Sequence, residues 1–242
     1  MNNGLNIVII GSSRGIGREV ARQLWRQGHN LFCISRNSEA LDILKEECYG
    51  INQNSVTTLA FDIADIAESS GNSIDLTAKI GEVFSKIDVL FYNAGSLIKK
   101  DFSEFTNREA MDIFRVNFFS AAAVIRLLMP LMGGEKTTHI VNSGSMGGFQ
   151  GSVKFPGLSF YSASKAALAA LTESLAVELN DRNIRVNCLA LGSAQTEMLE
   201  EAFPGYRAPL SAAEMAEFIS HFMVTGHKFF NGKVLPVAVS TP

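Results

Sequence analysis

Short apolar runs, rich in β-branched residues, alternate along this chain with segments whose apolar positions recur at helical spacing. The first run, Leu5-Asn-Ile-Val-Ile-Ile10, reads as a buried strand. The segment after it places Ile16, Val20, Ala21 and Leu24 on one side and Arg18, Arg22 and Gln23 on the other, as an amphipathic helix does. The same reading predicts strands over 6–10, 30–35, 56–61, 89–92, 139–143, 185–190 and 233–237. Helices fill the intervals, notably over 108–132, 161–180 and 212–224. This alternation predicts an α/β fold, a doubly wound parallel sheet of about seven strands with helices on both faces. No linker, repeat or low-complexity tract interrupts it, so one domain is expected over 1–242. The stretch 65–73 is polar and contains glycine, and a surface connection is expected there.

The first strand runs into Gly11-Ser-Ser-Arg-Gly15-Ile-Gly17 and then the helix. Strand, glycine turn and helix begin a dinucleotide-binding unit, so the sheet is expected to be of Rossmann type. Gly11 permits the tight turn, Gly15 lets the backbone approach a pyrophosphate, and Gly17 allows close helix packing. The helix N-terminus offers N–H groups and a positive dipole end to phosphate. The spacing differs from the usual Gly-x-Gly-x-x-Gly, and an ordinary glycine turn is the plain alternative. After the second strand, Ser35 stands where an NAD site usually places a carboxylate for the ribose 2′-hydroxyl. Arg36 follows, and Arg14 lies within the glycine turn. Two guanidinium forks without a carboxylate suit a 2′-phosphate, which points to NADP(H) over NAD(H). Two solvated surface arginines are the alternative.

A helix at 161–180 sets Tyr161 and Lys165 on one face, since residues four apart are neighbours there. A phenol has an unperturbed pKa of about 10. A nearby ammonium favours the phenolate and is expected to lower that value. The pair then exchanges a proton with an alcohol oxygen at neutral pH. Such pairs also occur as solvated bystanders on surface helices. Asn117 lies amid apolar Val116, Phe118 and Phe119, so its amide must find internal partners, and the helix backbone is the nearest.

Composition narrows the class. The net charge of −3 argues against a nucleic-acid partner, which would call for a basic face. No unbroken apolar run approaches the roughly 18 residues of a membrane span, so no membrane association is expected. Met1-Asn-Asn-Gly leads directly into a strand, and no signal peptide is expected. Cys33, Cys48 and Cys188 are odd in number and lack metal-ligand spacing; reduced thiols in a cytoplasmic protein without a metal are expected. His29, His139, His221 and His227 are scattered, and each reads as structural or surface.

Gly11 to Gly17, Asn93-Ala94-Gly95, Asn117, Ser145 and Tyr161 to Lys165 occur in the order and approximate spacing of the short-chain dehydrogenases/reductases. The chain resembles the classical branch of that family over nearly its whole length, and within it the 3-oxoacyl-(acyl-carrier-protein) reductase type. The resemblance implies hydride transfer between a nicotinamide cofactor and a carbonyl or secondary alcohol. Tyr161 would supply or remove the proton, and Lys165 would lower the tyrosine pKa and bind the nicotinamide ribose. Ser145 would orient the carbonyl, Ser143 being a decoy on the strand, and Asn117 would complete the proton relay. The cofactor would contact Gly11, Ser13, Arg14, Gly15, Ile16 and Gly17 at the turn, and Arg36 beyond the second strand. Asp62 and Ile63 would meet the adenine, with a strand-end cap as the alternative for Asp62. Asn93, Ala94 and Gly95 would let the ribose lie close to the sheet edge, and Gly192, Ala194 and Thr196 would lie near the carboxamide.

The chain departs from the family pattern in several places, and the region between Asp62 and Asp88 is among those that look altered. Tyr92 replaces an Asn, which is expected to change packing more than chemistry. Leu191 replaces a Pro, which is expected to loosen the turn at Gly192. The loop 149–159 is longer than usual and is expected to overhang the site. The substrate-covering segment 193–210 is short; its Met198, Leu199, Phe203 and Tyr206 either cover a hydrophobic substrate or pack a small helix. Two rival functions share these motifs: a catalytically idle NADPH-binding sensor or scaffold, and a sugar-nucleotide epimerase or dehydratase, which usually needs a larger C-terminal domain. The family pairs the helices corresponding to 108–132 and 161–180 across a two-fold axis, implying a homodimer or homotetramer. Their alanines fit that packing, or a monomer in which they only cover the sheet.

Overall fold

Apolar runs without polar alternation make strands that must be covered on both faces, as in a parallel sheet sandwiched by helices. The computed structural model describes residues 4–48, 55–68 and 75–239. The strands are β1 (Asn6–Ile10), β2 (Asn30–Ser35), β3 (Val56–Ala60), β4 (Val89–Tyr92), β5 (Thr138–Ser145), β6 (Ile184–Leu191), β7 (Ala194–Gln195), β8 (Leu210–Ser211) and β9 (Val234–Val237). Seven of them form one sheet in the order β3-β2-β1-β4-β5-β6-β9, every pairing parallel, while β7 and β8 pair by themselves. The order reverses between β1 and β4, and ligands of such sheets bind at that switch point, beyond the carboxyl ends of the strands.

The helices are α1 (Gly15–Arg26), α2 (Ser38–Glu47), α3 (Leu76–Gly81), α4 (Asn107–Phe114), α5 (Ser120–Leu128), α6 (Ser159–Glu178), α7 (Glu197–Ala202) and α8 (Ala212–Thr225). Side chains alternate across a strand, so β1 feeds two cores. Ile7 and Ile9 pack with Val20, Leu24 and Trp25 of α1, Leu41 and Leu44 of α2, and Met215 and Ile219 of α8. Val8 and Ile10 pack on the other face with Ile80 of α3, Val124 and Leu128 of α5, and Leu168 of α6. Each such side chain contributes roughly 1.5–3 kcal/mol relative to exposure.

Three expectations change. The helix expected over 108–132 is not continuous: a π-helical turn at Arg115–Phe119 separates α4 from α5, and a 3-10 turn at Met129–Leu131 follows. The hydroxyl of Ser120 donates to the Arg115 carbonyl at 2.7 Å, and that of Tyr92 to the Val116 carbonyl at 2.6 Å, satisfying carbonyls that the wide turn leaves over. An 18-residue window within the combined run Asn107–Leu131 has a mean hydropathy of 1.4, so the run is long and apolar enough to cross a membrane by length and composition. It escapes a search for unbroken apolar residues because small and polar side chains are interspersed, and in this fold Val124, Ile125 and Leu128 pack against the sheet. Finally, 65–68 fall in a 3-10 turn, Ile63–Glu68, rather than an open connection; the rest of the stretch to 73 lies outside the described residues.

Candidate active site

A cleft of about 880 Å³ opens beyond the carboxyl ends of the strands. Of the residues singled out by sequence, all line it except Gly17 and Asn117, which stand behind the wall. At its floor, Ser145 ends β5, Tyr161 lies in the first turn of α6, and Lys165 follows one turn on. Gly147 N donates to Ser145 Oγ at 3.1 Å, which fixes that hydroxyl. Lys165 is buried, and its Nζ donates to the Ser143 carbonyl at 2.7 Å. Ser143 thus enters the floor through its backbone. Burial holds the Lys165 ammonium well below its usual range, at about 8, against the opposing influence of Cys188. Tyr161 differs from expectation: burial raises its phenol, and the hydrogen bond with Ser145, not the charge of Lys165, pulls it back down. Lys165 Nζ stands 5.9 Å from the Tyr161 ring centre, occupied with a backbone carbonyl.

Asn117 sits in the π-helical turn and is fully buried. Its Oδ1 accepts from Ser96 N at 2.7 Å, and its Nδ2 donates to Ser96 O at 2.9 Å and to Ser164 Oγ at 2.9 Å. The amide therefore clamps the loop after β4, not its own helix. Ser164 Oγ donates in turn to the Tyr161 carbonyl at 2.7 Å. Asn117 is thereby tied to the helix that carries Tyr161 and Lys165. A Cβ on Gly95 would lie 3.6 Å from Asn117 Oδ1 and 3.7 Å from Lys165 Nζ, so Gly95 brings the two within reach of one small volume.

At the other end, Gly11 (φ +88°) turns β1 under β4; a Cβ there would lie 2.7 Å from Ala94 N. On Gly17 a Cβ would overlap the Gly11 carbonyl, at 1.9 Å. Ser35 Oγ accepts from Ser12 N at 2.8 Å and Ser13 N at 3.0 Å, binding the turn to the end of β2. Asn93 Nδ2 donates to Gly11 O at 2.9 Å. Asp62 accepts from Ala64 N at 3.0 Å, a strand-end cap, and its other oxygen lies 3.8 Å from Arg36. Arg14 pairs with Glu201 of α7 at 2.8 Å.

The segment after β6 covers the cleft. At the turn expected to be loosened by Leu191, Leu191 is in register with Val237, and Gly192 N donates to Val237 O at 2.9 Å. Thr196 Oγ1 accepts from Leu199 N at 3.3 Å and caps α7. Met198, Leu199, Phe203 and Tyr206 all line the cleft, as do Phe155 and Leu158 of the long loop.

The family described as short chain dehydrogenase matches residues 5–207. The chain belongs to this family. A mouse protein named dehydrogenase/reductase SDR family member 7B is 31% identical over 195 residues, 79% of this chain and 58% of that one, so the chain spans under two thirds of this curated relative. The structure of an L-sorbose reductase from Gluconobacter frateurii, complexed with NADPH and L-sorbose, superimposes with a TM-score of 0.84 at 22% identity, covering 98% of this chain and 95% of the other. A 3-ketoacyl-(acyl-carrier-protein) reductase from Brucella melitensis, complexed with NADH, gives 0.82 at 23% identity, covering 97% of each. These two likenesses establish the fold; with NADPH in one and NADH in the other, they do not choose a cofactor.

Short-chain dehydrogenases use nicotinamide cofactors, and the site fits one. The N-terminus of α1 has no side-chain cap and no acidic residue in its first turn, and Gly15 and Ile16 bring it to the cleft wall. An uncapped helix start facing a cleft is a phosphate site in waiting. A Cβ on Gly15 (φ +53°) would lie 3.2 Å from Thr196, filling the gap between turn and cover. Sequence reasoning flagged Tyr92 only as a packing change and missed Ser96 and Ser164. Ser164 had a visible signal, a hydroxyl inside Tyr161-Ser-Ala-Ser-Lys165; Ser96 contributes only backbone and had none.

Proposed function

We propose that this short-chain dehydrogenase is an NADP(H)-dependent carbonyl reductase or alcohol dehydrogenase. The observation that carries the reading is the meeting of Ser145, Tyr161 and Lys165 at the floor of one cleft whose far wall presents Arg14 and Arg36. The bound nicotinamide would donate or accept the hydride. Ser145 Oγ would donate to the substrate carbonyl oxygen and hold it beside the phenol. Tyr161 would pass its proton to that oxygen in reduction and take it back in oxidation. Lys165 would hold charge near the phenolate and bind the nicotinamide ribose, with Asn117 and Ser164 fixing the backbone around both. The remaining turn and cover residues named above would hold the dinucleotide.

For the 2′-phosphate, Ser35 brings no charge, and both arginines line the cleft. Their present partners are exposed carboxylates. Exposed pairs are worth about 0–1 kcal/mol, whereas a hydrogen bond to a charged group contributes about 1.5–3 kcal/mol. A phosphate therefore outcompetes Glu201 and Asp62 for them.

We also read residues 1–242 as one domain with 193–210 as its cover, and the protein as a cytoplasmic homodimer or homotetramer acting on a small molecule. Exposed Met111, Phe119, Leu127 and Val177 on α4–α6 support a self-contact, and the three buried free thiols suit a reducing compartment. A single sedimenting species at the mass of one chain would remove the oligomer. The function is tested by following NADPH and NADH absorbance with a panel of ketones and aldehydes. Turnover of at least one with NADPH preferred supports it; cofactor binding without turnover of any would replace it with the idle-sensor reading.

A further inference from the structure

The mouth of the cleft carries one more cation. Lys99 lines the substrate end. Its stem runs along Gly157 of the long loop, where a Cβ would come within 3.1 Å of Lys99 Cγ. Its ammonium stands 4.1 Å from the centre of the Phe203 ring, at the end of α7. Lys100 N donates to Gly157 O at 3.0 Å, fixing the backbone beside it. Lys99 is exposed, yet its side chain touches both the long loop and the end of α7. Arg14 and Arg36 have carboxylates within 4 Å, but Lys99 has none among the described residues. The acidic side chains of the cover have other neighbours: Glu201 pairs with Arg14 at 2.8 Å, Glu200 accepts from Gly205 N at 2.9 Å, and Glu197 lies beside Gly15. Apolar Leu97, Phe155, Leu158 and Met198 line the same cleft as Lys99, Ser145 and Tyr161.

We propose that Lys99 recognises an anionic group on the substrate, so that the preferred substrates are oxo acids, or the corresponding hydroxy acids, whose charge lies several bonds from the carbonyl. This rests on the oxidoreductase reading for the position of the carbonyl, at Ser145 and Tyr161. The apolar walls would take the intervening chain, and the ammonium would meet a carboxylate or phosphate as a point charge. Because the site is open to water, the preference should weaken with salt.

The test compares 3-oxobutanoate, 4-oxopentanoate, 5-oxohexanoate and 6-oxoheptanoate with their methyl esters. Two readouts are taken: NADPH oxidation, and calorimetric binding to the protein saturated with NADP⁺. The parent protein should favour at least one acid over its ester by about tenfold or more in kcat/KM, mostly through KM, the scale of a charged hydrogen bond. Lys99→Gln should erase that ratio and Lys99→Glu should invert it; the ratio is internal to each variant, so partial misfolding does not mimic the effect. Equal losses for acid and ester in Lys99→Gln would make Lys99 a mere pin for Phe203 and overturn the proposal. So would a parent protein that fails to prefer any acid in either readout. Lys99-dependent binding of an acid without turnover of any compound would uphold the recognition and overturn the oxidoreductase reading instead.

Discussion

Two buried polar networks hang on β5 and β6 and face opposite sides of the sheet. Toward α6, Asn142 Nδ2 donates to Thr172 Oγ1 at 2.9 Å, and Lys165 Nζ reaches Ser143 O. Toward α8, His139 is fixed at both ring nitrogens, by Met223 O at 2.9 Å and Asn187 Nδ2 at 3.0 Å. Asn187 also donates to Phe230 O at 3.0 Å and accepts from Lys233 N at 3.1 Å. Burial perturbs both networks: it holds His139 down at about 4 and Lys165 at about 8. The cleft of about 880 Å³ is lined by Lys165 and Ser143, and not by His139 or Asn187. The His139 network spends its bonding capacity on backbone, whereas Lys165 uses one of three donors on Ser143 among the described residues. A perturbed titration is therefore no mark of a site by itself; unspent donors at a cavity wall are the better sign.

The sharpest way to break this contrast is Tyr161→Phe. It should lower turnover by about 10²-fold or more, the scale of a lost general acid, while leaving NADPH binding and unfolding midpoint nearly unchanged. Near-normal turnover would place the site elsewhere.

The opposite network should answer in stability. His139 has its pKa lowered on folding, so the unfolded chain binds the extra proton first as pH falls through 6.5. Stability is thus complete above that pH and is lost toward pH 4, by roughly 2–3 kcal/mol from this residue. Urea midpoints between pH 7 and 4.5 should show this slope, and His139→Gln should flatten it. A variant with the parent's slope would reassign the acid sensitivity.

Cofactor choice comes next. Arg14→Ala combined with Arg36→Ala should weaken NADPH by about tenfold more than NADH, read by fluorescence titration, given bonds of about 1.5–3 kcal/mol shared with solvent. Equal losses would refute the 2′-phosphate assignment. Tyr92→Phe removes the bond to the Val116 carbonyl, worth about 1 kcal/mol. If the π-helical turn positions Asn117 and α6, kcat should drop about fivefold with NADPH affinity retained; a change in melting temperature alone would make Tyr92 purely structural. The smallest effect belongs to Glu201→Gln, which frees Arg14 from an exposed pair worth at most about 1 kcal/mol. NADPH should bind up to about fivefold tighter, and weaker binding would mean that Glu201 helps to hold the cofactor.

The strands, the glycine turn and the spacing of Tyr161 and Lys165 were legible in the sequence because each is written in local periodicity or in a residue's own backbone freedom. Gly11 needs its positive φ whatever surrounds it, and residues four apart share a helix face in any helix. Other features depend on partners far along the chain. The π-helical turn takes a hydrogen bond from the hydroxyl of Tyr92, 24 residues before Val116; Asn117 meets Ser164 across 47 residues; Arg14 meets Glu201 across 187. The direction of the Tyr161 shift belongs with these. Charge proximity can be guessed from spacing, but desolvation exists only once the sheet, α6 and the cover have closed around the phenol, and here it outweighs the charge. The sequence by itself determined which groups are present and in what order; the tertiary structure decided which of them are dry, which are paired, and which still face the cleft with a bond to give.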